Sequence, residues 1–320
     1  MNRETTLQLS AAPQDVARAV DLVLAGEQVA FPTETVYGLG ADATNGAAVA
    51  GIYAAKGRPS FNPLIAHVAD PAAAARLVQW GDMAQCLADA FWPGPLTLVL
   101  PLRSGHPVAS LVTAGLPTLA IRVPAHPTAR ALLAKVDRPV AAPSANPSGQ
   151  ISPTTAAHVL EGLNGKIAAV LDDGPCHIGL ESTIVGLDPV PTLLRPGGVP
   201  TEAVEQVLGQ PLATPRASSG ITAPGQMTSH YAPSVPVTLN QTEPAQGGVL
   251  LGFGDTNGTI NLSCTGDLGE AAANLFDHLH RLNAMARPIA VAPIPENGLG
   301  AAINDRLRRA AADRDDRGDR

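Results

Sequence analysis

Ala54-Ala55-Lys56-Gly57-Arg58-Pro59-Ser60-Phe61-Asn62-Pro63-Leu64 joins two stretches of different character. Upstream, Asn45 to Ala55 suits a helix, with the Asn45 side chain as its cap. Downstream, Pro63 to Val68 is short, apolar and strand-like. A helix that yields to a strand across a loop bounded by glycine and proline is the unit from which α/β folds are assembled. The charge of the stretch is equally informative. From residue 43 to residue 69 there is no Asp or Glu, yet Lys56, Arg58 and His67 all occur. The whole chain carries 21 Lys plus Arg against 28 Asp plus Glu, a net of -7. An anion site in an acidic protein has to be built by excluding carboxylates locally. Across residues 43–160 the bias persists, with eight bases against the four acids Asp70, Asp82, Asp89 and Asp137. This region has the charge of a polyanion site.

Outward from that stretch the alternation continues. Pro13 to Leu24 reads as an amphipathic helix with Val16, Ala19, Val20 and Val23 on one face, stopped by Gly26. Strands are expected at Gln28 to Phe31, from Val36 to Leu39, at Leu96 to Leu100, Thr118 to Val123 and Pro139 to Ala142. Asp70-Pro71 opens a helix, Thr128 to Lys135 forms another, and Ser152-Pro153 begins a third. Strands near Ile167 to Leu171, Ser182 to Leu187 and Thr192 to Leu194 precede a helix at Thr201 to Leu208. Residues 209–236 hold five prolines and no long apolar run, the composition of a linker. Beyond it Gly248 to Phe253, Gly269 to Leu282, Pro288 to Ala292 and Leu299 to Ala311 alternate strand and helix in a smaller unit. The division expected is 1–208, a linker at 209–236, a second domain at 237–312 and a charged tail at 313–320.

Composition narrows the function. Aromatic residues make up 3%, so Ala, Val, Leu and Ile must fill the core. Cys86, Cys176 and Cys264 have neither metal-ligand nor redox spacing and read as small buried hydrophobes. The first nine residues lack an apolar run and no stretch approaches the ~18 apolar residues of a membrane span, which predicts a cytoplasmic protein. The acidic balance argues against strong non-specific binding to nucleic acid.

Gly38-Leu39-Gly40-Ala41-Asp42-Ala43 matches a dinucleotide fingerprint in form, but the acid expected about 20 residues later is missing. Its glycines read instead as a turn that permits tight packing. No Walker-type phosphate loop exists, and His278 and His280 on one helix diverge too far to form a metal pair. Lys56 with Arg58 offers a compact charge beside a bidentate fork, a pair suited to polyphosphate, or equally a solvated helix end. Pro143-Ser144-Ala145-Asn146-Pro147-Ser148-Gly149 follows a buried strand and can present hydroxyl and backbone donors. Glu181-Ser182-Thr183 opens a strand, and Arg195 ends the next beside a glycine turn. Donor-rich loops after strands, with excess cations and no covalent nucleophile, point to positioning and charge neutralisation, as in phosphoryl or nucleotidyl transfer.

Taken in order, Pro32-Thr33-Glu34-Thr35-Val36-Tyr37-Gly38-Leu39, Lys56-Gly57-Arg58-Pro59 with Asn62-Pro63-Leu64, Trp92-Pro93-Gly94-Pro95-Leu96-Thr97, Ser144-Ala145-Asn146 and Glu181-Ser182-Thr183-Ile184-Val185 resemble the Sua5/YrdC/YciO family. Pro224-Gly225-Gln226-Met227 and His230-Tyr231-Ala232-Pro233, with the smaller C-terminal unit, resemble its two-domain Sua5 form. The resemblance implies a YrdC-like twisted open mixed sheet with flanking helices, and a smaller Rossmann-like α/β domain joined by a long linker. It implies a threonylcarbamoyl-AMP synthase that uses L-threonine, bicarbonate or CO2, and ATP, with Mg2+ assisting. The adenylate would feed the tRNA threonylcarbamoyl-transfer machinery that makes N6-threonylcarbamoyladenosine.

By matching position, Thr35, His67, Arg122, Ala142 (through its backbone) and Ser182 resemble threonine contacts. Lys56, Arg58, Asn62, Thr118, Ser144, Ser152 and Arg195 resemble the nucleotide side, with Lys56 and Arg58 as catalytic cations and Tyr231 as part of a lid. Metal ligands stay unassigned. The linker departs from the family where Gln226, Thr228 and Ser229 stand in places often basic. Two rival readings are a double-stranded-RNA-binding or ribosome-associated factor, and a carbamoyl-transfer enzyme of the same fold. The missing aromatic platform disfavours the first, and the lack of room for further catalytic domains disfavours the second.

Overall fold

The computed structural model describes residues 5–215 and 230–312. The linker elements at 224–229 and the charged tail at 313–320 lie outside the described residues. The described strands form two sheets. The larger contains β1 (Leu7–Ser10), β2 (Val29–Phe31), β3 (Gly38–Asp42), β4 (Ile65–His67), β5 (Leu96–Pro101), β6 (Thr118–Arg122), β7 (Val140–Ala141), β8 (Ala169–Asp172), β9 (Thr183–Gly186) and β10 (Thr192–Arg195). Their order is β1-β8-β2-β3-β7-β4-β6-β5-β9-β10, with parallel and antiparallel pairs mixed. The smaller sheet is wholly parallel, in the order β11 (Val237–Thr238), β14 (Ile289–Val291), β12 (Val249–Gly252), β13 (Ile260–Asn261). A mixed α/β sheet with a smaller α/β unit was the expected class, and both are present.

Helices cover the large sheet: α1 (Pro13–Leu24), α2 (Gly46–Lys56), α3 (Pro71–Leu77), α4 (Asp82–Phe91), α5 (Ser110–Thr113), α6 (Pro127–Val136), α7 (Ala156–Leu163) and α8 (Thr201–Leu208). Helices α9 (Leu268–Ala284) and α10 (Leu299–Ala311) serve the small sheet. The apolar face read from the sequence of α1 is the buried one, Val16, Ala19, Val20 and Val23. It packs with Phe31, Leu132, Leu133 and Val140 in one core layer. Leu39, Ala41, Ile52, Ala66 and Ile121 belong to a separate, larger cluster. Adjacent strand residues such as Ala30 and Phe31 join different clusters because a strand's side chains alternate between its two faces. Asn45 caps α2 by accepting from the N–H groups of Ala47 (3.0 Å) and Ala48 (3.2 Å), and Asp70 caps α3 through Ala73 at 2.7 Å.

Three local readings need correction. Ser152-Pro153 does not begin a helix. The cap of α7 is Thr155, which accepts from His158 N–H, because the Ser152 hydroxyl donates to Glu181 instead. Cys86 and Cys264 are exposed and only Cys176 is buried. The glycines of Gly38-Leu39-Gly40 lie within β3 rather than in a turn. Their packing role is real, since a Cβ on Gly40 would stand 2.7 Å from Phe31 Cε1 and 3.0 Å from Val140 Cγ1. Gly40→Ala should therefore overpack a closed interior and cost about 1–3 kcal/mol. The measurement is a lowered urea midpoint at unchanged slope, and an unaltered midpoint would show that Phe31 yields freely.

Candidate active site

The register of β4 against β6 pairs His67 with Arg122, and β7 places Val140 opposite His67 on the other side. Ile65 and His67 are two residues apart, as are Ala120 and Arg122, so each pair faces the same side of the sheet. A cavity enclosing roughly 550 Å³, its open mouth included, lies over this face. The sequence suggested loops at strand ends. The structure instead uses side chains along a sheet face together with the loops that rise beside it.

One wall is built around Arg122. Its Nε donates to Gly94 O (3.1 Å), Nη1 to Thr35 Oγ1 (3.0 Å) and Nη2 to Glu34 Oε1 (2.5 Å). The other Glu34 oxygen accepts from Ala125 N–H at 3.0 Å. Burial raises the Glu34 pKa, but the Arg122 charge and hydrogen bond carry it below the ordinary carboxylate value. Thr33 Oγ1 sets the loop by donating to Val36 O at 2.6 Å and lies 2.8 Å from Thr35 Oγ1. His67 is 3% exposed, and its Nδ1 has no hydrogen-bond partner among the described residues. Burial, then Arg122, lower its pKa to about 3, so the ring is neutral near pH 7. The neutral ring borders the cavity beside Arg122.

The second wall gathers charge. Gly57, at φ +58, ends α2 in the left-handed region and turns the chain so that Arg58 reaches the cavity. Arg58 donates to the carbonyls of Asn62 (3.3 Å) and Pro63 (2.9 Å), neutral acceptors that aim the fork and leave its charge in place. Its pKa is lowered to about 10, chiefly by burial. Arg195 clamps Ser182, donating to its carbonyl at 3.1 and 2.8 Å and to its hydroxyl at 3.2 Å. Thr97 Oγ1 lies 2.7 Å from that same hydroxyl. Gly197 lets this turn close, because a Cβ there would meet the backbone of Glu181, Ser182 and Thr183 at 2.4 Å each.

Thr35, His67, Arg122, Ala142 and Ser182 all border this one cavity. So do Arg58, Ser144, Arg195 and Tyr231. Four other expected residues do not form its walls. Lys56 is buried, and its ammonium donates to the carbonyls of Ser144 (2.6 Å) and Asn146. Burial, then Arg58, push its pKa well down. It is therefore not a solvated helix end: it pins the Ser144 loop. Asn62 supports Arg58 from behind, and its carbonyl also accepts from Tyr53 OH at 3.0 Å. Ser152 donates to Glu181 at 2.5 Å. Thr118 starts β6, four residues before Arg122 and so roughly 13 Å along the strand.

Sequence reasoning passed over Thr33, Glu181 and His230, which also border the cavity. His230 stood in a quoted motif, but a histidine beside a tyrosine has no signature of its own. Glu181 sits where polar residues open an apolar strand, and its ion-pair partner Arg306 lies 125 residues away in the sequence. Among the described residues, no cluster of three or more His, Cys, Asp or Glu could hold a metal ion, and no helix is long and apolar enough to cross a membrane.

Two family models match the chain. One, described as "Telomere recombination", covers residues 21–197, and the other, "Threonylcarbamoyl-AMP synthase, C-terminal domain", covers 199–312. A threonylcarbamoyl-AMP synthase from Bacillus subtilis (strain 168) is 41% identical over 337 residues, covering 97% of each chain. The Pyrococcus abyssi enzyme of the same name is 41% identical over 319 residues, covering 92% of this chain and 93% of its own. The crystal structure of P. abyssi Sua5 complexed with L-threonine superposes with a TM-score of 0.88 at 38% identity, covering 96% and 97% of the two chains. Matched by both models and by relatives of this identity along nearly its whole length, the chain belongs to the Sua5/YciO/YrdC family, in its two-domain Sua5 form.

Proposed function

We propose that the protein is a threonylcarbamoyl-AMP synthase, a nucleotidyltransferase that joins L-threonine, bicarbonate or CO2, and ATP into threonylcarbamoyl-AMP and pyrophosphate. The observation that carries this reading is the shared cavity. A neutral His67 and a carboxylate-binding fork at Arg122 border the same space as Arg58 and Arg195. The relatives' name and the threonine bound by the P. abyssi protein support it.

The chemistry balances with the groups at hand. The threonine amine forms a C–N bond to CO2 and loses a proton, giving a carbamate. Starting from bicarbonate, the same step releases water. A carbamate oxygen then forms the bond to the ATP α-phosphorus while the bond to the β-phosphate oxygen breaks, and pyrophosphate leaves with its electron pair. Arg122 faces the amino-acid carboxylate with the donor hydrogens that Glu34 and Thr35 leave over. The Ser182 hydroxyl and the Ala142 carbonyl face its polar side. Arg58 and Arg195 neutralise charge on the transferring and leaving phosphates, which is where such catalysis is obtained. Tyr231 closes the cavity against water, which would hydrolyse both carbamate and mixed anhydride.

Mg2+ fits this site as a companion of the triphosphate rather than as a resident ion. Magnesium is usually held by one or two carboxylates together with substrate phosphates. The cavity's carboxylates, Glu34 and Glu181, already answer to Arg122 and Arg306. We assign the reaction to residues 1–208, with 209–236 as connection and cover, 237–312 as the second domain, and transfer to tRNA as the step that consumes the product.

The test is pyrophosphate release by the purified protein in MgATP. Release should require both L-threonine and bicarbonate, and mass spectrometry should identify threonylcarbamoyl-AMP. Release indifferent to threonine would end this reading.

A further inference from the structure

Helix α10 belongs to the small sheet's unit, yet its Arg306 ends inside the large one. The side chain is wholly buried. Nε donates to Glu181 Oε2 at 2.7 Å, Nη2 to Pro196 O at 2.9 Å and Nη1 to its neighbour Asp305 at 2.6 Å. The guanidinium carbon lies 5.2 Å from the centre of the Tyr231 ring. All but the Asp305 contact lead to the cavity. Glu181 and Tyr231 are wall residues, and Pro196 follows Arg195, whose fork clamps Ser182.

Glu181 poses the electrostatic problem that Arg306 answers. A carboxylate in the wall of a polyphosphate site repels the ligand it should admit. Its Oε1 accepts from the Ser152 hydroxyl, which orients the group but removes none of its charge. Arg306 supplies the opposite charge on the second oxygen. Arg195 adds a smaller attraction to Glu181, while its own hydrogen bonds stay on neutral acceptors of Ser182.

We propose that Arg306 is a positioning residue contributed by the C-terminal domain: it neutralises Glu181 and braces Pro196 and Tyr231, so that the cavity accepts ATP only when that domain is docked. The idea rests on the adenylate-forming reading above. Docking has other supports, which lets Arg306 be replaced without parting the domains. His280 of α9 stacks on His158 of α7 at 3.9 Å between ring centres. Its Nε2 lies 3.2 Å from Ser152 O. Gly179 meets α9 so closely that a Cβ there would fall 2.4 Å from Ala272 O.

The experiment compares Arg306→Met, Arg306→Lys, Glu181→Gln and the Arg306→Met/Glu181→Gln pair in the full chain, each checked for fold by circular dichroism. Leaving Glu181 buried and unpaired should raise the KM for ATP at least about tenfold in Arg306→Met, with a smaller change in the KM for threonine. Arg306→Lys keeps the charge, loses the fork and should fall between. Removing the carboxylate as well should return the KM for ATP toward the wild-type value, a rescue that a purely structural arginine would not show. Equal KM values for ATP in Arg306→Met and in the double variant would overturn the proposal. Should Arg306→Met lose its fold, an unchanged KM in folded Arg306→Lys would overturn it equally. A wild-type chain that fails to release pyrophosphate with threonine would instead overturn the reading of the reaction.

Discussion

Arg58→Ala is expected to lower kcat/KM for ATP by roughly 10²–10³-fold, the loss typical when one preorganised donor to developing charge is removed. Arg58 borders the cavity, and its own hydrogen bonds go to the carbonyls of Asn62 and Pro63. The charge it presents there is not cancelled by those partners, so deleting it strikes the phosphates directly. Arg58→Lys should recover part of the rate, since the point charge returns without the fork. Lys56, two residues earlier, should behave in the opposite manner. Lys56→Met leaves the carbonyls of Ser144 and Asn146 without their donor, and stranding such a buried group costs about 1–3 kcal/mol. The unfolding midpoint should fall first, and activity should fall through displacement of the Ser144 loop. Steady-state kinetics beside urea denaturation separates the two. Full activity in Arg58→Ala would remove the phosphate role assigned to that arginine.

This contrast shows what the chain disclosed on its own and what it withheld. Helix α2 and its Asn45 cap were legible because a cap acts within three residues, and α1 because its apolar face repeats at helical period. Strand β1 was not legible. Leu7–Ser10 is too short to show alternation, and it is stabilised by pairing with β8, with Leu7 opposite Ala169. Helix α4 also went unread, although its buried Ala84, Leu87 and Ala88 follow the helical spacing, because alanines make a faint stripe.

Within the site, the cations could be named but not sorted. Lys56 and Arg58 look alike in a linear reading. Only the fold shows one turned toward backbone carbonyls and the other toward the cavity. The anions were harder still. Glu34 meets Arg122 across 88 residues, and Glu181 meets Arg306 across 125. Ion pairs at such separations leave no periodic trace, and with one sequence there is no covariation to reveal them. Each acid stood inside a recognised block without a role of its own. The fold gives each carboxylate a guanidinium partner.

Glu34→Ala should cost about 3–5 kcal/mol of stability, because it leaves the buried Arg122 guanidinium without its counter-charge. Both partners are nearly inaccessible, with side chains 4% and 1% exposed, so solvent does little to screen the loss. The acid limb of wild-type stability carries the same signature. The folded-state pKa of Glu34 is depressed, burial opposing and Arg122 prevailing, so its contribution is complete above the unfolded value of roughly 4.3. The contribution is then lost as pH falls through the lower folded value, where the folded chain must also take up the proton. Glu34→Gln keeps the shape, removes this titration and should lie below wild type at pH 7. The difference between the two should narrow as pH falls below about 4.3, because the unfolded wild-type chain then binds a proton that the folded one, with its depressed carboxyl, still resists. Urea midpoints taken from pH 7 to pH 3 measure this directly. A constant difference across that range would mean that Arg122 is held by Gly94 and Thr35 alone, and that Glu34 owes its place in the wall to something other than charge.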